Sequence, residues 1–291
     1  MIFSFKKTAL LFMIPTVIFA AVSIWFIVDS VFLHSATGTI NTILLMISVV
    51  VLFICSRLSL RLRTKLYNES VRLCDNDINA FIAEQDRIFS RASGKNKAMI
   101  LMNKSLGLIA WERLDEAEQA LREAEALKSV KSSRHLQMIV LSRRISIAMR
   151  RRNFDKAREY AERQRQLISE MKLDGTVIEQ KYLRAVESNI GKCELLEKIH
   201  SSENCEKIAA GLLEDTKQSL EALNENALFY IYLRINLEYT SGLLCYAMGD
   251  SSEADRYFRL ASEEKAAYPI IQRLKKYLED KDIRALVENA G

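Results

Sequence analysis

The sequence predicts an all-α protein, in which an N-terminal transmembrane helical hairpin precedes a solenoid of antiparallel helix pairs. Glycine (9) and proline (2) contribute only 11 of the 291 residues, about 4% against roughly 12% in an average protein. Strand-rich folds need these residues in their turns, whereas helices are destabilised by them. The other two observations are a pair of long uncharged stretches near the N-terminus and a succession of amphipathic patterns after them.

Two uncharged stretches within residues 1–65 predict the hairpin. Thr8–Val28 contains 21 residues and Ile40–Ser56 contains 17, and about 20 apolar helical residues cross a bilayer core. Basic residues flank the hairpin, while the loop Asp29–Thr39 has none, so the positive-inside rule places both termini in the cytoplasm. We therefore expect a multi-pass protein of the cell membrane, in a bacterial inner membrane. A cleaved signal peptide is the alternative for the first stretch.

The net charge of +5 belongs to the N-terminal part of the chain. Residues 1–65 hold six basic residues and one acidic residue, whereas residues 66–291 hold 36 of each. A part without net charge gives little bulk attraction to a phosphate backbone. Nucleic acid is therefore disfavoured as a partner.

A long connecting helix is predicted over 66–93, followed by a helical-repeat domain over 94–291. Apolar residues of the connecting segment recur at helical spacing: Val71, Cys74, Ile78, Ile82 and Phe89. Within the repeat domain the clearest helix pairs span 98–130, 136–171 and 235–269, with tight turns at Glu112–Asp115, Arg151–Asp155 and Gly249–Asp250. Helices joined by such short loops pack antiparallel.

Self-similar segments identify the helix pairs as repeats. RLDEAEQAL (113–121) and NFDKAREYA (153–161) align at an offset of 40 residues, and GDSSEADRYF (249–258) repeats the pattern 97 residues later. With these residues the chain resembles the tetratricopeptide-repeat (TPR) family, whose repeat length is 34 residues. The resemblance implies a solenoid with packing residues at Ser105, Leu114, Ala117, Leu121, Ala124, Phe154, Ala157, Gly242, Gly249, Ala254, Phe258 and Ala261. It matches 172–235 poorly and meets bulky Ile145 at a small position, so a more general helix-pair solenoid stays open.

Motifs for catalysis are absent from the sequence. It contains no GxxxxGK[ST], GxGxxG, HExxH or GxSxG, and His34, His135 and His200 are scattered. Its five cysteines show no metal-ligand spacing: Cys55, Cys74, Cys193, Cys205 and Cys245. We expect neither enzymatic activity, nor a cofactor, nor a metal site.

One acidic segment begins like a calcium-binding EF-hand loop. Asp75, Asp77 and Asn79 have the required spacing, but Ala80 and Asp86 stand where the loop needs glycine and glutamate. The segment also lies within a helical pattern, so helix capping or a solvated face is the favoured interpretation.

A basic cluster is the main candidate for binding. Its members are Arg134, Arg143, Arg144, Arg150, Arg151, Arg152, Lys156, Arg158, Arg163 and Arg165. The favoured interpretation is a solvated face that forms ion pairs with an acidic helix such as Glu116–Glu125. A docking site for an acidic protein or peptide is the second interpretation, because arginine binds carboxylates bidentately. Anionic lipid headgroups are the third, ahead of nucleic acid.

The family resemblance adds a more specific expectation about peptide binding. In TPR proteins, peptide ligands lie in a concave groove that is lined by the first helices of the pairs. Asn103 and Arg143 resemble two positions of a carboxylate clamp in that groove, while Ile139 occupies a third position that is basic in the family. The partner-binding residues expected here are Asn103, Arg143, Arg144, Arg150 and Arg151.

The function expected from the sequence is that of a membrane-anchored, non-enzymatic cytoplasmic scaffold. It would bind a protein or peptide partner in the concave groove, since stacked helix pairs form such surfaces without reactive side chains. The alternative is a small membrane subunit of a transport or export assembly, in which the hairpin is the functional element. An enzyme of an unfamiliar helical type is the third possibility.

Overall fold

The computed structural model describes residues 50–51, 53–54, 56–58, 65, 67–171, 177–201, 206–283 and 286. The chain divides into two compact units, Met1–Glu69 and Ser70–Gly291. The described residues of the first unit are helical. The second unit is built from helices, with no strand in its described part.

The structure corrects the prediction of a transmembrane hairpin. No helix in the described part of the chain combines the length and the apolar character that a membrane span needs. The stretch Thr8–Val28 and residues 40–49 of the second predicted span lie outside the described residues. Most of the described helices are shorter than a membrane span, and the largely apolar Tyr230–Ala247 is interrupted by polar residues such as Arg234, Asn236 and Glu238. The described part of the chain is therefore all-helical, and on this finding the predicted transmembrane hairpin and multi-pass membrane localisation are corrected.

Eleven helices are described in the second unit, here named α1 to α11. They are α1 (Ile78–Phe89), α2 (Gly94–Ala110), α3 (Leu114–Ala126), α4 (Lys128–Lys131), α5 (Arg134–Arg150), α6 (Phe154–Glu170), α7 (Val177–Ser201), α8 (Glu206–Glu221), α9 (Tyr230–Ala247), α10 (Ser251–Glu263) and α11 (Pro269–Asp280). Each of the longer helices packs against its neighbour in the chain, and α2 also packs against α5. Successive helix pairs are therefore stacked, as the amphipathic patterns predict.

The helix that was predicted to run through 66–93 is interrupted. A short 3-10 turn occupies Leu73–Asp75, and α1 then begins anew after Asp77. The Asp77 carboxylate accepts hydrogen bonds from the backbone N–H groups of Asn79 (2.9 Å) and Ala80 (3.0 Å), which are free at a helix start. In the segment that begins like a calcium-binding loop, Asp77 therefore acts as the N-cap of α1.

The three predicted turns share one conformation. Glu112, Arg152 and Gly249 have positive φ angles of 62°, 57° and 81°. In each turn the following N–H donates to a carbonyl five residues earlier, from Arg113 to Leu108 (2.9 Å), from Asn153 to Ala148 (2.9 Å) and from Asp250 to Cys245 (3.0 Å). This is the Schellman motif, which ends a helix with one left-handed residue. The turns recur at the offsets of 40 and 97 residues that the sequence shows, so these three predictions are confirmed.

Small residues let the helices approach closely. Ser105, Ala117, Leu121, Ala124, Ala157, Ala254, Phe258 and Ala261 are each fully buried and Leu114 is 6% exposed, which confirms their packing roles. Phe154 is only partly buried and Gly249 is exposed. Ile145, the bulky residue at a small position, is also fully buried. Gly242 on α9 lies so close to the Phe258 ring on α10 that a Cβ atom would overlap it. Gly107 on α2 lies equally close to Phe81 on α1. These two glycines set the distance between neighbouring helices.

The C-terminal helices pack back onto the start of the second unit. The Tyr268 hydroxyl donates to Asp75 Oδ1 (2.6 Å), and the Ala267 N–H donates to the Asp75 carbonyl (2.7 Å). The Trp111 indole donates to the Cys74 carbonyl (2.6 Å) and also contacts the Tyr268 ring edge-to-face. Residues separated by almost 200 positions thus form one buried junction, which closes the stack of helices.

Candidate functional site

The predicted partner-binding arginines of α5 and its C-terminal turn point to two different faces. Arg144 and Arg151 pair with the acidic helix α3: Arg144 contacts Glu125 (2.6 Å), and Arg151 contacts Glu118 (2.7 Å) and Asp115. The hydrogen bond from Arg151 lowers the pKa of Glu118, which stays ionised. These two arginines thus link α5 to α3. This agrees with the favoured interpretation of the basic cluster, in which it forms ion pairs with a neighbouring acidic helix.

Arg143 and Arg150 belong to a second group of polar residues on another face of α5. This group, here called the inner cluster, consists of Glu112, Arg143, Arg150, Tyr232, Tyr239 and Arg273. Its members come from the turn after α2, from α5, from α9 and from α11. The closed arrangement of the helices is what assembles residues so distant in sequence.

Two arginines of the inner cluster share one carboxylate. Glu112 accepts from Arg150 Nη1 (3.2 Å) and from Arg273 Nη1 (2.8 Å), with a second short contact from Arg273 Nη2. Arg150 also donates to the Tyr232 hydroxyl (3.2 Å). The side chains of Glu112, Arg150 and Arg273 are 16–18% exposed, so solvent still reaches this group. The network fixes the left-handed turn at Glu112 against two distant helices.

Arg143 is the member of the inner cluster that forms no ion pair with a carboxylate of the described residues. The side chain is partly buried, and its Nε atom is buried without a hydrogen-bond acceptor. Burial lowers the pKa of the Arg143 guanidinium, against an opposing interaction with Tyr232. Within the part of the chain that the structure describes, no carboxylate forms an ion pair with it. Arg143 therefore has no counter-charge among the described residues.

The inner cluster has an excess of positive charge. Three guanidinium groups face one carboxylate among its members, which leaves a formal charge of +2. Burial raises the pKa of Tyr239, so this phenol is neutral near pH 7 and does not compensate the excess. Because Arg143 has no carboxylate partner among the described residues, this partly exposed surface is suited to bind an anion.

The fifth predicted residue, Asn103, lies on α2. It is buried, with 8% exposure, and α2 packs directly against α5. Arg143 and Asn103 therefore belong to two first helices that contact each other, as the family resemblance implies. Ile139, which stands at the third clamp position, is partly buried.

Four members of the inner cluster were not predicted as site residues from the sequence. Glu112 occupies a turn, Tyr232 and Tyr239 belong to an apolar helix, and Arg273 lies 161 residues beyond Glu112. No local pattern connects them, because they meet only when the C-terminal helices fold back. The sequence contained one signal for Glu112: it occupies the same position in its turn as Arg152 and Gly249 do in theirs.

The other chemical candidates have structural roles. His135 hydrogen-bonds the Tyr182 hydroxyl (3.1 Å), and Asp75 accepts from Tyr268. Burial raises the pKa of Cys74 to about 12 and that of Cys193 to about 11, so neither thiol forms a reactive thiolate at neutral pH. No group of three or more potential metal ligands occurs among the described residues. His34, Cys55 and Cys205 lie outside them.

Comparison with known proteins finds no matching family model, no matching curated protein and no matching solved structure. The geometry of the inner cluster is therefore the basis for inferring function.

Proposed function

We propose that this protein is a non-enzymatic helical scaffold that binds an acidic protein or peptide partner at the inner cluster. The observation that carries the proposal is Arg143, a partly buried arginine whose Nε has no acceptor and which has no carboxylate partner among the described residues. A carboxylate of the partner would provide both the acceptor and the counter-charge.

The energetics favour such a partner. A buried donor without an acceptor costs about 1–3 kcal/mol, and more when the group is charged. Binding of a carboxylate removes this cost, because the planar guanidinium of arginine forms two parallel hydrogen bonds with one carboxylate. Arg143 thus lowers the stability of the free protein, and its guanidinium is available to bind an anion.

The rest of the inner cluster supports Arg143. Arg150 and Arg273 are held in place by Glu112, and Arg150 is also held by Tyr232. They contribute a fixed positive potential with little freedom to lose on binding. A rigid, preorganised surface binds with a smaller entropic cost than a mobile one.

The chemistry of the inner cluster suits binding rather than catalysis. Guanidinium groups stay protonated at all physiological pH values and therefore do not act as general bases. Glu112 is held by two arginines, and burial raises the pKa of Tyr239. Guanidinium groups and a phenol with a raised pKa do not exchange protons readily near neutral pH.

Crosslinking mass spectrometry on the full chain tests the proposal. We expect an acidic segment of a partner to crosslink to α2, α5 or α9 in the wild-type protein, and the Arg143→Gln variant to lose these crosslinks. Arg150 is left intact in this experiment, because its removal would break the Glu112 network and confuse binding with stability.

The Arg165→Gln variant is the matched control. Arg165 is an exposed arginine of α6 that pairs with Glu162, away from the inner cluster. The control variant should keep the crosslinks. Equal crosslinking by wild type and a folded Arg143→Gln variant would contradict the proposal.

A further inference from the structure

A cleft of about 890 Å³ lies between α5 and α6, bounded at its far side by α4 and the end of α3. We call it the α5–α6 cleft. Four residues of the basic cluster that do not belong to the inner cluster line it: Arg134, Arg144, Lys156 and Arg163. At 100° per residue, the mean direction of the α5 residues that line the cleft lies about 130° around the helix from that of Arg143 and Arg150. The two surfaces are therefore on different faces of α5.

The charges of the cleft do not balance. Its three carboxylates are all paired with cations of the same cleft, namely Glu125 with Arg144 (2.6 Å), Glu170 with Arg134 (2.9 Å) and Glu159 with Lys156 (2.7 Å). Lys131 and Arg163 also line the cleft, and neither forms an ion pair with a described carboxylate. Both side chains are exposed. The cleft thus carries two cations that are available to a ligand.

The lining of the cleft disfavours a drug-like small molecule. Eight of its fifteen lining residues are charged, whereas pockets for small ligands are mostly apolar. The apolar lining residues, such as Val140 and Leu141, are almost fully buried and form a floor beneath the charged walls. A polar, open and elongated cleft is the form that suits a peptide.

The dimensions of the cleft set the length of that peptide. Along α5 the lining residues run from Arg134 to Arg144, and along α6 from Lys156 to Glu170. At 1.5 Å per helical residue these stretches measure about 15 and 21 Å. An extended chain advances about 3.3 Å per residue, so five or six residues fill the cleft.

We propose that the α5–α6 cleft binds an extended acidic peptide segment of a partner protein, whose carboxylates pair with Lys131 and Arg163. The segment lies along α6 above the buried floor, and the three wall pairs are positioned to hydrogen-bond its backbone. This site is separate from the inner cluster and does not depend on the function proposed for Arg143.

The test measures binding of fluorescein-labelled hexaglutamate to the full chain by fluorescence polarisation. The double variant Lys131→Glu, Arg163→Glu should weaken binding at least tenfold. A neutral double variant, Lys131→Gln with Arg163→Gln, should weaken it about threefold and serves if the charge reversal impairs folding. Removal of these exposed side chains breaks no ion pair of the described residues, so circular dichroism should show the same helix content.

The matched control is the double variant Lys128→Glu, Arg165→Glu. It changes the net charge by the same amount on α4 and α6, but neither residue lines the cleft. Its affinity should stay within twofold of wild type. Equal weakening by both reversed variants would show non-specific attraction and would overturn the proposal, as would no weakening by either.

Two further arms distinguish peptide binding in the cleft from binding at the inner cluster and from binding of phosphate. Loss of binding in Arg143→Gln, with retention in Lys131→Glu, Arg163→Glu, would place the peptide at the inner cluster and overturn the cleft proposal. Inorganic phosphate should displace the peptide no more than sodium chloride of equal ionic strength does. Stronger displacement by phosphate would identify a phosphate site and reject the peptide.

Discussion

At the scale of single residues, the protein combines tight packing with a partly buried arginine, Arg143, that has no ion-pair partner among the described residues. Gly242 and Gly107 hold helices at a separation that leaves no room for a Cβ atom. The sequence pattern predicted Gly242 as a small residue, because it falls at a repeated position. The isolation of Arg143 was not predictable, since it depends on which carboxylates the fold brings near it.

Replacement of Gly242 by alanine should destabilise the protein by about 1–3 kcal/mol, as overpacking of a core does. The new methyl group would meet the fully buried Phe258 ring, which has no space to move. Urea unfolding followed by circular dichroism measures the change.

The control for this prediction is Gly211→Ala on α8. A Cβ atom at Gly211 would meet nothing within 4 Å, so the gain in helix propensity should stabilise the protein by about 0.5–1 kcal/mol. Destabilisation of similar size by both substitutions would refute the packing role assigned to Gly242.

Replacement of Arg143 by methionine should stabilise the protein while weakening its partner binding. Methionine keeps much of the side-chain volume and removes a partly buried charge without an acceptor, so we expect a gain of about 1 kcal/mol. Thermal unfolding and the crosslinking experiment report the two effects separately. A loss of stability would mean that Arg143 has a structural role in the fold.

At the scale of elements, hydrophobic periodicity was sufficient to predict the helix pairs and their turns. Periodicity did not predict the interruption of the connecting helix before Asp77, because the apolar spacing continues across the 3-10 turn at Leu73–Asp75. The only sequence signal for this interruption is Asp77 itself, a residue type that is common at the N-cap of a helix. The repeated turn is the most regular local feature, since Glu112, Arg152 and Gly249 share its left-handed conformation.

Replacement of Arg152 by glycine should stabilise the turn between α5 and α6. A left-handed conformation costs a non-glycine residue about 1–2 kcal/mol, while the extra freedom of glycine in the unfolded chain costs about 0.5–1 kcal/mol. The expected net gain is therefore about 0.5–1 kcal/mol. The midpoint of urea unfolding measures it.

The converse substitution, Gly249→Ala, should destabilise the equivalent turn by about 1 kcal/mol. Its Cβ atom would meet nothing within 4 Å, so the change isolates backbone strain from packing. Equal stability of Gly249→Ala and wild type would show that the turns are not equivalent in energy.

At the scale of the whole second unit, the structure contains contacts between distant helices that the predicted helix-pair solenoid does not include. A repeat pattern describes contacts between neighbouring helices and contains no information about contacts between distant ends. The junction of Asp75, Trp111 and Tyr268 arises from specific hydrogen bonds and aromatic contacts. Its residues are separated by up to 193 positions, so single-sequence reasoning does not reach them.

The Asp75 junction should make the stability of the protein depend on pH. Burial raises the pKa of Asp75 above its ordinary value of 3.8, so the folded protein retains this proton to a higher pH than the unfolded chain. Its contribution to the free energy of unfolding is fully present below pH 3.8 and is lost as the pH rises through the folded pKa.

The Asp75→Asn variant tests this dependence. Asparagine keeps an acceptor for the Tyr268 hydroxyl and never becomes charged, so the variant should gain stability relative to wild type between pH 4 and pH 7. Urea unfolding at both pH values measures the difference. A constant difference between variant and wild type would contradict a buried, titrating Asp75.

The junction between Asp75 and Tyr268 also has a consequence during protein synthesis. Tyr268 is added to the chain 193 residues after Asp75, a delay of about 10–40 s at typical translation rates. Until then, the faces of Cys74 and Trp111 that Tyr268 contacts have no partner, so every nascent chain exposes them on the ribosome. Tyr268 therefore covers residues that were synthesised much earlier. A chain that terminates before Tyr268 leaves this apolar surface exposed to the chaperones and proteases of the cell.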